Sequence, residues 1–216
     1  MSRRQGLLWA SGAIAALVLV LGVNGTFSSW TTAVVGNSQN TVATTQAVIL
    51  RETSGAVTCT SSDAPTTNVS TCATINKYGG TATPLTPGTS QSVDVTFTNL
   101  GSANASTFQL APGACSQTPT AGSGTPAAAN VCTSGDLTVA ISCLPGSTYA
   151  AASAWTDLVY AAAAPPTATK THTATGGDLN AGASWTCRVT TALPAAASVL
   201  AQGVTVSQPL TWTLVK

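Results

Sequence analysis

Charge is what this sequence has least of. Among 216 residues there are seven Lys or Arg and six Asp or Glu, a charged share of 6%. Such a chain has no basic stripe for nucleic acid and no acidic tail. Its surface must be covered by Thr, Ser, Ala, Asn and Gly, and a surface of near-zero net charge favours self-association. Histidine is almost absent as well: the one example, His172, lies in the polar stretch Lys170-Thr171-His172-Thr173-Ala174-Thr175-Gly176-Gly177 and is expected to be a solvated loop residue. The sequence has no H-E-x-x-H of a metalloprotease, no G-x-S-x-G nucleophile turn and no glycine-rich phosphate loop with lysine. Its six carboxylates are scattered singly, with Asp94, Asp136 and Asp178 read as strand-face or turn residues. Only a meeting in space would give the carboxylate pair of a glycosidase. No catalytic residue, no cofactor and no metal site is therefore expected.

One long hydrophobic run is present. Arg3 and Arg4 precede GLLWASGAIAALVLVLGV, about 18 apolar residues. A cleaved signal has an apolar centre of roughly 7 to 15 residues and a spanning helix needs about 20, so length alone fits either. Gly22, Asn24 and Gly25, poor helix residues, follow the run, and Thr26 and Ser28 place small side chains three and one residues before a cut between Ser28 and Ser29. The expectation is a signal peptide over residues 1–28, with membrane contact only through that precursor segment. No cysteine stands near the cut for a lipid anchor, and the ending TWTLVK carries no hydrophobic sorting tail. Beyond residue 28 five basic residues (Arg51, Lys77, Lys170, Arg188, Lys216) face six acidic ones (Glu52, Asp63, Asp94, Asp136, Asp157, Asp178), a net charge of minus one.

The six cysteines, Cys59, Cys72, Cys115, Cys132, Cys143 and Cys187, agree with export. An even number in an exported chain reads as disulfides, with about 15 pairings open in principle. The spacings lack the close pairs that zinc requires. Cys59 and Cys72 bracket a Ser/Thr/Pro loop, and Cys115 and Cys132 bracket SQTPTAGSGTPAAANV; closing the second removes chain entropy worth roughly 3 kcal/mol. The third pair follows from strand periodicity. Leu137, Val139, Ile141 and Cys143 share one face of a strand, and Trp185, Cys187 and Val189 share one face of another. Both cysteines then face the core, although other pairings stay open.

Alternation runs through the rest of the chain. Val93, Val95 and Phe97 point one way and Asp94, Thr96 and Thr98 the other, before a turn at Leu100-Gly101, and Phe108 and Leu110 continue the pattern. The final stretch GVTVSQPLTWTLV reads as one strand with Val204, Val206, Gln208, Leu210, Trp212 and Leu214 on one face. Pro209 places it at an edge or a bend, since proline removes a ladder donor. The Ala-rich pieces AAASAW and LPAAASVL suit only short helical turns. Many strands separated by Gly/Pro/Asn turns predict an all-β antiparallel β-sandwich with disulfide-stapled loops, a single domain over residues 47–216 preceded by an N-terminal strand or linker at 29–46.

The order of apolar signal, GTFSSW, polar segment and strands, followed by PLTPGTSQSVDVTFTNLGSANASTFQL, resembles the TasA/camelysin family of exported proteins with a SipW-dependent-type signal peptide. Leu85, Pro87, Gly88, Phe97, Asn99 and Gly101 stand at the L-x-P-G turn and F-x-N-x-G positions of that family. The resemblance covers roughly residues 15–110 and implies a jelly-roll sandwich, secretion, and self-association into extracellular fibres of a biofilm matrix. It also implies donor-strand complementation, in which the segment freed by signal cleavage completes a neighbour's sheet. The metallopeptidase activity ascribed to camelysin finds no motif here, and the six cysteines depart from the family.

Cleavage after Ser28 exposes Ser29-Trp30-Thr31-Thr32-Ala33-Val34-Val35-Gly36, with Trp30, Thr32 and Val34 on one strand face. An uncharged strand of this kind adds to an open sheet edge through main-chain hydrogen bonds. It reads equally well as a disordered terminus or a first strand of its own sheet. Three function classes follow: a fibre subunit with matrix or cell-surface partners, a monomeric cell-surface adhesion or ligand-binding sandwich, and, last, a secreted hydrolase.

Overall fold

The computed structural model describes residues 41–42, 47–64, 66–150 and 154–216; the expected signal, its Ser28/Ser29 cut and the donor residues Trp30, Thr32 and Val34 lie outside them. Within the unit Thr45–Lys216 the alternating segments form antiparallel strands, with no α-helix among the described residues. They are β1 (Leu50–Ser54), β2 (Val57–Thr60), β3 (Thr89–Asn99), β4 (Thr107–Pro112), β5 (Ser116–Thr118), β6 (Thr138–Pro145), β7 (Val159–Ala163), β8 (Lys170–Thr173), β9 (Ser184–Leu193), β10 (Thr205–Ser207) and β11 (Leu210–Val215). One sheet has the order β2-β1-β3-β9-β6-β7 and the other β11-β4-β8, with β10-β5 as a separate ribbon.

The two sheets form a sandwich because the few aromatics of the chain meet between them. Phe97 and Trp185, opposite each other on β3 and β9, face Phe108 of β4 and Trp212 of β11. Ring centroids lie 5.0 Å apart for Phe97–Phe108, 4.8 Å for Phe108–Trp185 and 4.7 Å for Phe97–Trp212. Val95, Val139, Ile141 and Val189 fill the six-stranded face beside them, all buried. Cys143 and Cys187 are direct cross-strand partners on β6 and β9, with Cα atoms 4.0 Å apart, and are joined by a disulfide inside this core. Disulfides also join Cys59 to Cys72 and Cys115 to Cys132.

The F-x-N-x-G stretch is explained by packing. Phe97 is fully buried. Asn99, also fully buried, donates from Nδ2 to the carbonyls of Ala103 (2.9 Å) and Leu179 (3.1 Å) and accepts at Oδ1 from the Gly101 N–H (3.0 Å). Its side chain thus ties the β3–β4 loop to the β8–β9 loop at one end of the sandwich. At Gly101 the chain leading into β1 passes so close that a Cβ would sit 2.1 Å from the Ala47 carbonyl oxygen. Gly101→Ala is therefore expected to destabilise by about 2 kcal/mol, read as a lower denaturant midpoint at unchanged slope. The preceding L-x-P-G is a turn in which the Thr89 N–H donates to the Thr86 carbonyl at 2.9 Å. Pro87 and Gly88, the latter at φ +87°, occupy the positions that a type II turn reserves for proline and glycine.

Two expectations are corrected. The C-terminal stretch is two strands rather than one: β10 pairs with β5 and β11 with β4. The chain breaks at Gln208-Pro209 because Gly113 packs against the Pro209 ring there and donates its N–H to the Pro209 carbonyl at 2.8 Å. His172 is not solvated. It lies on β8 opposite Phe108 and is 3% exposed.

Candidate functional site

The sandwich has two open-ended sides, and the sequence treats them differently. On one side β7 and β8 close the gap. Tyr160 Oη donates to the carbonyls of Leu110 (3.2 Å) and Ala168 (2.8 Å), and Lys170 Nζ donates to the Val159 carbonyl. His172 completes this closure. Its Nδ1 lies 2.8 Å from Asp157 Oδ1, its Nε2 lies 2.9 Å from Asp178 Oδ2, and its ring stacks on Trp155 with centroids 3.6 Å apart. Asp178 in turn accepts from the Thr175 N–H at 2.9 Å, and Asp157 from the Thr173 N–H at 3.1 Å.

This Asp157–His172–Asp178 cluster brings carboxylates to a histidine, the composition of an acid–base site. A general base must keep a nitrogen within reach of its substrate, whereas here both ring nitrogens are held by carboxylates. Both contacts are hydrogen bonds when each nitrogen carries a proton. The arrangement is a clasp that joins the segment before β7 to β8 and to the turn at Thr175–Asp178.

Burial pushes the Asp157 carboxyl up, but the His172 hydrogen bond, the Thr173 N–H and the imidazole charge outweigh it and hold the carboxyl below its ordinary 3.8. A carboxyl depressed in the folded state adds stability that is present above its unfolded value and is lost as pH falls through the folded one. The melting temperature of the wild-type chain is thus expected to drop below about pH 4 more steeply than that of Asp157→Asn. Thermal scans between about pH 6 and pH 2 measure the difference, and parallel curves would contradict it.

On the other side the sandwich is open. The three-stranded sheet ends at β11 and the six-stranded sheet at β2, and a cleft of about 620 Å³ lies between them, lined among others by Leu50, Glu52, Ile75, Lys77, Pro209 and Trp212. Along β11, Leu210, Trp212 and Leu214 turn toward the core while Thr211, Thr213 and Val215 are exposed. No charge interrupts Leu210–Val215, and its outer edge has no strand partner among the described residues. Natural edges are usually blunted by lysine, proline, bulges or a covering segment; within its length this one carries none of the first three.

The far wall of the cleft is residues 70–78, which have no regular strand or helix. They are fastened to β2 by Cys59–Cys72 and by Ser70 Oγ donating to the Thr60 carbonyl at 2.6 Å. Lys77 pairs with Glu52 at 3.0 Å, both side chains nearly buried, and the Tyr78 hydroxyl donates to Gln208 Oε1 across the cleft. Burial pushes the Tyr78 phenol up, so it remains a neutral donor. Glu52, Cys59 and Cys72 come within 4.8 Å of one another, but the two sulfurs are bonded to each other and offer no thiolate to a metal.

Of the residues singled out in the sequence, the structure groups Cys59 and Cys72 with the cleft, places Cys115–Cys132 beside the β5–β10 ribbon, and buries Cys143–Cys187 in the core. The clasp and the wall at 70–78 are not evident from sequence. The signal for the clasp is faint: a period of two across Lys170 and His172, in a strand of four residues.

Compared with protein-family models and with curated proteins, the chain matches none. Three disulfides are the chemistry of an oxidising environment. Among the described residues no helix is long and apolar enough to cross a membrane.

Proposed function

We propose that the chain is a secreted, non-enzymatic structural subunit that self-associates into extracellular fibres of a biofilm matrix, as in the TasA/camelysin family it resembles. In this reading residues 29–36 of one copy lie as an added strand along β11 of the next. The observation that carries it is the β11 edge beside a cleft, uncharged and without a strand partner among the described residues. Such an edge gains main-chain hydrogen bonds from an incoming strand, and alternate side chains fill the hollow.

The occupant is chosen on length and chemistry. Residues 29–36 contain no charged side chain, and Thr31 and Ala33 separate Trp30, Thr32 and Val34. Eight extended residues span about 27 Å, enough to run past the six residues of β11 at about 20 Å. A near-neutral, hydroxyl-rich surface favours close approach of copies.

A monomeric cell-surface ligand-binding sandwich is the second reading. It draws on an adjoining hollow of about 430 Å³, lined by Tyr78, Leu85, Gln91, Leu137 and Thr205 among others and by no charged side chain, within the size range of small-molecule sites. Negative-stain electron microscopy and sedimentation of the chain beginning at Ser29 separate the two. Filaments are the expected result; a folded monomer at every concentration contradicts the fibre reading and leaves the second.

A further inference from the structure

We propose that the Cys59–Cys72 disulfide gates the β11 cleft, so that the cleft accepts a strand only in the oxidised chain; this rests on the strand-acceptor reading above. The cleft has two walls of unequal strength. The β11 wall is one side of a ladder of six residue pairs with β4. The opposite wall, residues 70–78, has no ladder of its own. Its start is attached by the Ser70 hydroxyl bond and the disulfide, and its end by the buried Ile75 side chain, the Lys77–Glu52 pair, the Tyr78–Gln208 hydrogen bond and the Tyr78 carbonyl, which accepts from Gln91 Nε2 and Thr191 Oγ1.

Of these the disulfide is the covalent one, and it anchors the wall where β2 is an edge strand. Cys59 stands opposite Glu52 in the β1–β2 ladder, so the bridge, the ion pair and the cleft floor are neighbours. Opening the bridge releases the start of the wall. The Lys77–Glu52 pair then loses its cover, because a nearly buried ion pair is held by the geometry around it and regains water when that geometry loosens. An incoming strand would then meet a widened, hydrated gap in place of a fitted slot.

The step balances as ordinary thiol–disulfide exchange. Two thiols lose two protons and two electrons and form the S–S bond, while the disulfide of an external oxidant accepts them and becomes a dithiol. Cys59 and Cys72, like Cys115 and Cys132, are only partly buried, whereas Cys143 and Cys187 are fully buried. The bridge at the cleft is therefore open to exchange under conditions that spare the bridge in the core. Assembly would then wait for an oxidising exterior as well as for the export cut.

The test compares polymerisation rates, by sedimentation, of the chain beginning at Ser29 in three forms: wild type, Cys59→Ser/Cys72→Ser, and Cys115→Ser/Cys132→Ser as a control for loop stapling in general. The expected result is at least tenfold slower assembly for Cys59→Ser/Cys72→Ser, with a retained strand signal in circular dichroism, and a near wild-type rate for the control. A second arm uses the control chain, in which Cys59–Cys72 is the one partly buried bridge that remains: mild dithiol reduction, with alkylation mapped to Cys59 and Cys72, should slow assembly by a similar factor, and reoxidation of a parallel unalkylated sample should restore it. That arm decides if the double variant is unfolded. Normal assembly with the bridge open, or equal slowing in the control, overturns the gate while leaving the fibre reading intact. A wild-type chain that never polymerises overturns both.

Discussion

Removing residues 29–36 is expected to leave a folded monomer that forms no filaments, a fall in polymer fraction of at least tenfold in sedimentation. A strand lying beside β11 contributes main-chain hydrogen bonds of about 1 kcal/mol each and buries its inward side chains, of which Trp30 is the largest. Full burial of a large aromatic is worth several kcal/mol, and each 1.4 kcal/mol is tenfold in affinity. Trp30→Asp should therefore have nearly the effect of the deletion, because it removes the buried indole and brings a carboxylate to a cleft whose one cation among the lining residues, Lys77, is already paired with Glu52. Circular dichroism and thermal melting, run alongside, separate the alternatives. Filaments of normal length from the deletion variant would remove the donor role, and loss of folding would place the segment in its own subunit's core.

The largest stability effect is expected at Asn99. Asn99→Leu keeps the number and branching of side-chain heavy atoms but strands the Ala103 carbonyl and the Gly101 N–H, in a place where water does not reach, while the Leu179 carbonyl keeps the Ala105 N–H as its donor. A buried polar group left without its partner costs about 1–3 kcal/mol, so a total of about 4 kcal/mol is expected, and a melting temperature lower by about 8–16 °C. Arg188 and Asp94 provide the contrast. Their bidentate pair has two 2.7 Å contacts, but both side chains are more than a third exposed. Removing it by Asp94→Ala should cost less than about 1 kcal/mol. Desolvation therefore decides between the two sites, and a larger loss at Asp94 than at Asn99 would contradict that account.

The sandwich is readable from residue patterns wherever a strand is long enough to alternate several times. Val93, Val95 and Phe97 do so on β3, as do Trp185, Cys187 and Val189 on β9, and both strands are buried on that face. The three bridged pairs follow from the same reasoning, two from the loops they bracket and one from two core-facing strands. His172 is misread because β8 is four residues long and all four are polar. Only the fold brings Trp155, Asp157 and Asp178 to it, and those contacts turn a polar side chain into a buried one. The division of the C-terminal stretch depends on a neighbour far away in sequence, since Gly113 on the β4 side packs against Pro209. The cleft is further still from local pattern, because its wall at residues 70–78 has no periodicity and is held by a disulfide and an ion pair.

A cryo-electron microscopy reconstruction of filaments from the chain beginning at Ser29 bears most directly on the role of β11. The expected map has an extended strand of the neighbouring subunit, residues 29–36, about 4.8 Å from the outer edge of Leu210–Val215, with Trp30 in the cleft facing Ile75 and Trp212. An unpaired β11 edge in filaments whose subunits meet elsewhere would contradict it.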